Sequence, residues 1–430
     1  MSTHYDGCLN SVTINSLLQS FRFMEVTLGL ERIQALLESL DNPHHCLPII
    51  HVGGTNGKGS VCAYLSSTLT EAGYRVGRYT SPHLVDPTER ICINNQPISE
   101  TDFERIIIKI KSLSHSYENR PSLFEALTAT ALVYFAQKRV EIAVIEVGLG
   151  GRLDATNVWN NPLVTVITSI SREHWQILGP TLADIAYEKG GILKPKCPAV
   201  IGQLPLEAEM VIRARIKALN CPSLWVKPAI AIKKNWGQYQ DTSYYLPLLG
   251  KVQLMNSALA IAALKILQKK GWKIPLATIQ KGIKNTQWLG RLHWTKWRDV
   301  SILIDGAHNG AAATALRDYV NTLNKPITWV MGILSTKDHD RIFEALLRPQ
   351  DNLYLVPVPD HQTANPEDLA LLANKICSQL SDIQIFSDVF KALDRAVDDF
   401  EHTIILCGSL YLIGYFLKIT SAMSHVDKIE

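Results

Sequence analysis

The chain has 430 residues, of which 47% are hydrophobic and 19% are charged, and its formal net charge is +3. This length favours two domains, and this composition is that of a folded globular protein. The small net charge argues against a large basic surface for nucleic acid, and no apolar run has the length of a membrane span. Eight scattered cysteines without a CxxC pair are typical of reduced thiols in a cytoplasmic protein, so we expect that location.

A glycine-rich segment follows the first predicted strand. Residues 47–52 are almost all apolar, GGTNGKGS occupies residues 53–60, and a helical pattern then continues to Gly73. Strand, glycine loop and helix are the context that a phosphate-binding loop requires. Backbone amides, the helix N-terminus and Lys58 would hold the phosphates, and Ser60 would face a phosphate or a magnesium ion. Gly59 separates Lys58 from Ser60, a departure from the common spacing, and a glycine turn without a ligand is the alternative.

Apolar runs and amphipathic helical patterns alternate along the rest of the chain. Predicted strands cover residues 142–147, 163–170, 200–201, 302–304, 327–331, 353–358, 383–386 and 403–407. Predicted helices cover residues 28–39, 101–113, 122–137, 256–269 and 310–323. This alternation predicts parallel sheets covered by helices on both faces, with ligands at the carboxyl ends of the strands.

Two domains are predicted, residues 1–288 and residues 292–430, because a fresh strand-and-helix series begins after the segment around Gly290. We predict a hairpin or an excursion at a sheet edge for residues 230–249. We predict a frayed tail for the residues after about Ser421.

Polar side chains end several of the predicted strands. Glu146 closes an apolar strand, where a carboxylate needs either a cation or a pairing partner such as Arg152. His174 follows the next strand and is either a metal ligand or an ordinary loop histidine. Ser81 either caps a turn or offers a hydroxyl to magnesium. Lys189, taken alone, is predicted to be a solvated lysine at a helix end.

A further polar group follows the strand at residues 302–304. Asp305 would accept from ribose hydroxyls, and His308 would lie against a base. Helix capping by Asp305 or Asn309 is the equally supported alternative.

Taken in chain order, these motifs resemble the folylpolyglutamate synthase and dihydrofolate synthase family of the Mur ligase superfamily. The matching pieces are LGLERI at 28–33, GTNGKGS at 54–60, TSPHL at 80–84, ERI at 89–91, FEALT at 124–128, EVGLGGRLDATN at 146–157, ITSI at 167–170, EKGGI at 188–192, GR at 290–291, DGAHN at 305–309 and CGSLYL at 407–412. The resemblance implies a P-loop NTPase-like first domain with a parallel sheet and a smaller Rossmann-like α/β second domain.

The resemblance also implies an activity, an ATP-dependent amide ligation. A carboxylate of dihydropteroate or of a reduced folate would take the γ-phosphoryl group of ATP, and the amine of L-glutamate would attack the acyl phosphate. One or two Mg²⁺ ions are implied, and a monovalent cation of open identity. We expect a monomer that works on small molecules, without nucleic acid or membrane partners.

The resemblance assigns roles residue by residue. The implied ATP contacts are Gly57, Lys58, Gly59, Ser60, Asn256, Arg291, Asp305 and His308. The implied metal ligands are Ser81, Glu146, His174 and a carbamylated Lys189. The implied catalytic residues are Lys58, His174, Lys189 and Arg291. The implied acceptor contacts are Thr27, Leu28, Gly29, Ser122, Leu123, Phe124, Glu125, Leu153, Asp154 and Ala155, of which Phe124 either stacks on a pteridine ring or packs in the core.

Three positions depart from the family's usual residues. Glu173 stands for an aspartate, Gly190 for an alanine, and Thr27 for an acidic residue common in bacterial members. Folylpolyglutamate synthase activity alone therefore stays open beside the double activity. A Mur ligase for nucleotide-linked peptides is disfavoured, because only about fifty residues precede Gly53 and they contain LGLERI. A P-loop ATPase that switches or binds a partner is the alternative from another class.

Overall fold

The computed structural model describes residues 14–19, 21, 28–114, 117, 119–399 and 401–426. The first sheet has eight strands in the order β4-β3-β2-β5-β1-β6-β7-β8. Their bounds are β1 Ile49–Gly53, β2 Val76–Tyr79, β3 Ile91–Ile93, β4 Gln96–Pro97, β5 Ile142–Glu146, β6 Val164–Ile167, β7 Ala199–Ile201 and β8 Ser223–Trp225. Strands β2, β5, β1, β6, β7 and β8 are parallel, whereas β3 and β4 are antiparallel at one edge.

Helices cover both faces of this sheet. They are α1 Ile14–Gln19, α2 Glu31–Glu38, α3 Lys58–Glu71, α4 Glu100–Ser114, α5 Leu123–Gln137, α6 Trp175–Leu178, α7 Leu182–Gly190, α8 Leu206–Leu219, α9 Val252–Lys269 and α10 Leu276–Lys284. Helices α2, α4 and α5 pack on one face, and α3 and α9 on the other, each around its own apolar core. Strand β5 is buried along its whole length, as expected of an internal parallel strand.

The second sheet has six strands in the order β12-β13-β17-β14-β15-β16. Its elements are β12 His293–Trp297, β13 Val300–Ile304, α11 Gly310–Val320, β14 Ile327–Met331, α12 His339–Leu346, β15 Asn352–Leu355, α13 Pro366–Ile376, β16 Asp382–Ile385, α14 Val389–Val397, β17 Thr403–Cys407 and α15 Leu410–Val426. Only β12 runs antiparallel to its neighbour among these described strands. The two-domain α/β prediction is therefore confirmed, with antiparallel strands added at the edges.

Two sequence predictions can be compared with the structure in detail. Residues 230–249 form the predicted excursion beyond the edge strand β8, as antiparallel hairpins that do not join the main sheet. They contribute β9 Ile230–Lys233, β10 Trp236–Tyr239 and β11 Thr242–Tyr245, a separate antiparallel sheet that packs against α9 and α10. The chain does not fray at Ser421, because α15 continues to Val426. Among the described helices, none is both long and apolar enough to cross a membrane.

Candidate active site

The glycine-rich segment forms a tight loop between β1 and α3. Gly54 and Gly57 have φ values of 134° and 86°, and a Cβ at either position would overlap Thr168 or Asn256. Only glycine fits both requirements. Helix α3 begins at Lys58, directly after the left-handed Gly57, so its first amides point into the loop and make it an anion site. The Lys58 ammonium donates to the Thr55 carbonyl at 3.0 Å.

A cavity of about 430 Å³ opens above this loop, and we call it the phosphate-loop cavity. Residues of both domains line it. All the ATP contacts implied by the sequence lie in its wall, namely Gly57, Lys58, Gly59, Ser60, Asn256, Arg291, Asp305 and His308. The implied metal ligands Ser81, Glu146, His174 and Lys189 line the same cavity. The fold thus brings together residues that are far apart in the sequence.

Glu146 ends β5 at the floor of the cavity. Its carboxylate accepts a hydrogen bond from the Ser81 amide at 3.3 Å, and it forms no ion pair within 4.0 Å among the described residues. Arg152, the alternative partner, pairs with Glu188 at 2.9 Å instead. Burial raises the pKa of Glu146, although Lys58 opposes the rise. A buried carboxylate without an ion-pair partner is a suitable ligand for a cation.

Lys189 is buried, with 4% of its surface exposed, so its interpretation as a solvated helix-end lysine is wrong. The side chain points inward from α7 because neighbouring Gly190 and Gly191 pack closely against Ile212 and Arg152. Its ammonium donates to the Gly54 carbonyl at 3.0 Å. Burial, and then the nearby Lys58, lower the pKa of Lys189 to about 7.

His174 adopts a left-handed conformation, with φ 52°, just before the short helix α6. Its side chain is 44% exposed, yet partial desolvation of the ring, with the nearby cations Lys337 and Lys189, lowers the pKa of His174 to about 4. The imidazole is therefore neutral at neutral pH, which is the form that binds metals. Within the described part of the chain, no three His, Cys, Asp or Glu side chains gather as a metal site. The implied ligand set contains only Glu146 and His174 of these types, so a hydroxyl or a modified lysine would have to complete it.

The second domain contributes residues from the start of α11 and the loop before it. The Asp305 carboxylate accepts from the amides of Leu292, at 2.8 Å, and Ala307, at 2.9 Å. Asn309, and not Asp305, caps α11 by accepting from the Ala312 amide at 2.9 Å. Asp305 thus fastens the segment that carries Arg291 to the second sheet.

Two polar contacts join the domains beside the cavity, and sequence reasoning did not find either. Asn56 and Asn309 exchange two hydrogen bonds through their amides, at 3.0 and 3.2 Å. Glu173 accepts from His308 at 2.9 Å and from Lys337 at 3.3 Å. Burial alone would raise the pKa of Glu173, but the hydrogen bond from His308 and the charge of Lys337 hold it well below its usual value. No local sequence signal predicts such pairs, because their partners lie more than 130 positions apart.

A second pocket of about 340 Å³ lies in the first domain, and we call it the Phe124 pocket. Its lining includes the implied acceptor contacts Leu28, Gly29, Ser122, Leu123, Phe124, Glu125, Leu153, Asp154 and Ala155. Thr27 lies outside the described residues. Phe124 faces the pocket and also packs against the apolar core, so the two alternatives for this ring are compatible.

The two spaces adjoin, because Leu149 lines both of them. The phosphate-loop cavity offers an anion-binding loop beside a buried carboxylate and an inward-pointing lysine. The Phe124 pocket offers an aromatic ring and apolar side chains. This arrangement suits the transfer of a phosphoryl group to a flat, partly apolar acceptor.

Two family models match the chain. The Mur ligase middle domain matches residues 52–264, and the dihydrofolate synthetase C-terminal domain matches residues 289–419. The chain is 36% identical to the dihydrofolate synthetase of Saccharomyces cerevisiae, over 92% of this chain and 98% of that protein. It is 32% identical to the dihydrofolate synthase/folylpolyglutamate synthase of Bacillus subtilis, over 91% and 94%.

Solved structures agree with these sequence relationships. Mycobacterium tuberculosis folylpolyglutamate synthase complexed with ADP and AMPPCP superposes with a TM-score of 0.83 at 32% identity, over 93% of this chain and 97% of that one. Escherichia coli FolC in complex with DHPP and ADP gives a TM-score of 0.83 at 28% identity, over 95% and 97%.

Proposed function

The chain belongs to the dihydrofolate synthase/folylpolyglutamate synthase family of Mur ligases, and from this we infer that it is an ATP-dependent ligase that joins L-glutamate to folates. We propose that it converts dihydropteroate to dihydrofolate and also extends reduced folates. The observation that carries the proposal is the shared wall at Leu149, where the phosphate-loop cavity meets the Phe124 pocket. A nucleotide in one space and an acceptor in the other would place a phosphoryl group beside a carboxylate.

The loop residues would bind the nucleotide. The amides at the start of α3 face the phosphates, and Lys58 would exchange its loop carbonyl for a phosphate oxygen. Asn256 packs against Gly57 and lines the cavity, so it would contact the nucleotide from α9. Arg291 lies on the segment between the domains and would approach the transferred group when the domains close.

Ser81, Glu146 and His174 would hold Mg²⁺, since a hydroxyl, a buried carboxylate and a neutral imidazole line one cavity. When bound, the ion would offset negative charge on the transferred phosphoryl group. The chain's own cations Lys58 and Arg291 face the same charge from other directions. Once the nucleotide is bound and the domains have closed, they would stabilise that charge in the transition state.

Lys189 would be carbamylated in the active enzyme. Its amine is buried and forms no ion pair among the described residues, and Lys58 disfavours a second ammonium nearby. Carbon dioxide would add to the neutral amine, form a new N–C bond and release a proton, leaving an anionic oxygen donor suited to magnesium.

The second step of the reaction would join L-glutamate to the acyl phosphate. The amine of L-glutamate attacks the acyl carbon, the C–N bond forms, and inorganic phosphate leaves with the electrons of the C–O bond. The interdomain contacts of Glu173 and Asn309 lie at the edge of the cavity. They would keep the domains closed and exclude water from this reactive intermediate.

An assay with two acceptors tests the proposal. Purified protein would receive ATP, Mg²⁺ and either dihydropteroate or tetrahydrofolate, with and without L-glutamate, and products would be read by mass. Ligation of glutamate to both acceptors is expected. Activity on one acceptor alone would assign a single synthase; the Saccharomyces relative and the C-terminal family model favour dihydrofolate synthesis in that case. ATP hydrolysis that ignores glutamate would favour the ATPase switch.

The remaining proposals concern the state of the protein in the cell. We propose a cytoplasmic monomer without nucleic-acid or membrane partners, and a monovalent cation of open identity as a second ion. The free thiols of the seven described cysteines and the small net charge support this location and this set of partners. Light scattering after size exclusion would test the monomer.

A further inference from the structure

The Phe124 pocket contains two carboxylates, and both already have partners. Glu125 accepts from Arg32 at 3.1 Å and from the Ser122 amide at 2.7 Å. Asp154 accepts from the Leu149 amide at 2.7 Å and from the Thr156 amide at 3.0 Å. Arg32 already balances the charge of Glu125, whose Oε1 is nevertheless buried without a partner among the described residues, and Asp154 is held by two backbone amides.

Arg90 is the one cation in the wall of this pocket among the described residues. Its Nε donates to His83 Nδ1 at 2.9 Å. Within the described part of the chain, its two terminal nitrogens make no hydrogen bond and no ion pair within 4.0 Å. Burial lowers the pKa of Arg90 from its ordinary value, and the charges of Glu146 and Glu89 only partly oppose that fall, so holding this charge without an anion in direct contact is costly.

The neighbouring Glu89 favours the charged form of Arg90 from a distance but forms no ion pair with it within 4.0 Å. Glu89 is occupied by three backbone amides, those of Leu84 at 2.8 Å, Val85 at 2.9 Å and Asp86 at 2.8 Å. These bonds shape the loop that follows Ser81. Among the described residues the guanidinium therefore has no anion in direct contact, although it lies in a pocket proposed for an anionic acceptor.

Arg90 lies on the side of the pocket that faces the phosphate-loop cavity, since the charges of Arg90 and Glu146 each oppose the shift that burial causes in the other's pKa. Its backbone carbonyl accepts from the Thr80 amide at 3.0 Å, next to Ser81, whose own amide binds Glu146. The carboxylate of the acceptor must reach this region to meet the γ-phosphate. A guanidinium with two free terminal nitrogens matches a carboxylate, which it binds through two parallel hydrogen bonds.

We propose that Arg90 binds the reacting carboxylate of the acceptor and orients it toward the phosphate-loop cavity. The inference rests on the proposed function and assigns the ERI segment a role in it. The paired carboxylates Glu125 and Asp154 would face the hydrogen-bond donors of the pterin end, while Arg90 fixes the opposite end. The pocket would thereby distinguish a carboxylate-bearing pterin from a neutral one.

The test compares dihydropteroate with its carboxamide, which keeps the ring system and removes the charge. Dissociation constants for both would be measured in the presence of ADP for the wild type and for Arg90→Met. The wild type should prefer the carboxylate by about tenfold to a hundredfold. Arg90→Met should lose this preference while its affinity for the carboxamide stays unchanged.

Two further variants make the outcome decisive. Arg78→Met alters another buried arginine, on β2, that does not line the Phe124 pocket, and it should leave the preference intact. Arg90→Lys keeps the charge and most of the packing, so it should retain a reduced preference, and it decides the matter if Arg90→Met does not fold.

An undiminished preference in either folded Arg90 variant would overturn the proposal, as would equal weakening of both ligands, which indicates a structural role. A wild-type protein that binds neither ligand would overturn the proposed function itself, and this inference with it. That outcome is distinct, because it appears before any substitution is made.

Discussion

The phosphate-loop cavity and the Phe124 pocket meet at Leu149, but they are built in different ways. The cavity takes its lining from both domains, and the contacts of Asn56 and Glu173 with the second domain border it. The described lining of the pocket comes entirely from residues before position 156. Nucleotide chemistry should therefore depend on how the domains meet, whereas acceptor binding should not.

The largest expected effect separates the two spaces directly. Lys58→Ala should lower kcat for ligation on the order of a hundredfold to a thousandfold, because it removes a cation from the transferring phosphate. Acceptor affinity and the melting temperature should be unchanged, since the ammonium contacts only a loop carbonyl. Steady-state assays and a thermal melt check both. Lys234→Ala, at an exposed turn, is the control, and near-normal turnover in a folded Lys58→Ala protein would remove the phosphate-loop assignment.

Lys189 gives the next largest effect, again confined to the phosphate-loop cavity. Lys189→Ala should lose activity on the order of a hundredfold, because an oxygen ligand for magnesium is lost. Bicarbonate with a short carboxylic acid should restore part of the rate by supplying an oxygen donor in the vacated space. A ¹³C signal from protein equilibrated with labelled carbon dioxide would report the carbamate directly.

The matched control for Lys189 is Lys194→Ala, in the loop after the same helix. Lys194 does not line the cavity, so its variant should keep activity and should not respond to the added acid. A bare ammonium on Lys189 in an active, metal-loaded enzyme would contradict the carbamate and leave the lysine as a phosphate contact.

The two spaces also differ in what their sequences reveal. The phosphate loop is a local motif whose strand, glycines and helix are contiguous, so its anion site could be predicted from residues 47–73. The burial of Lys189 could not, because it depends on how α7 packs against Arg152 and Ile212. Only the resemblance to the family predicted that Lys189 belongs to the site. The local sequence favoured a lysine exposed to solvent.

The fold shows the same division between local and distant information. Buried strands such as β5 carry an unbroken apolar run, so the parallel core of the first sheet was predictable. The antiparallel edge was not, because β4 has only two residues and no periodicity. The amide pair of Asn56 and Asn309 spans 253 positions, and only the arrangement of the two domains brings its members together.

Arg291 tests whether domain closure affects one space and not the other. Arg291→Ala should lower kcat roughly tenfold to a hundredfold, with a modest change in ATP affinity, because the guanidinium would reach the phosphates only on closure. Binding of dihydropteroate should not change. Arg298→Ala, which removes an exposed ion pair with Asp394, serves as the control. An unchanged kcat would show that the interdomain placement is wrong, and a loss of acceptor binding would break the contrast between the two spaces.

The smallest expected effect concerns the pocket alone. Phe124→Leu keeps an apolar side chain against the core but removes the aromatic face, so stacking worth about 1 kcal/mol should be lost and KM for dihydropteroate should rise about fivefold. KM for ATP should stay constant, because Phe124 is absent from the described lining of the phosphate-loop cavity. Phe135→Leu, on the same helix but fully buried beneath β2, is the matched control and should lower stability without changing either KM.

If the two variants raised the acceptor KM equally, loosening of α5 and not loss of stacking would be the cause. A rise in KM for ATP in Phe124→Leu would show that the two spaces are coupled through Gly148, against which the ring packs. Acceptor binding would then depend on domain closure, as we expect only of nucleotide chemistry.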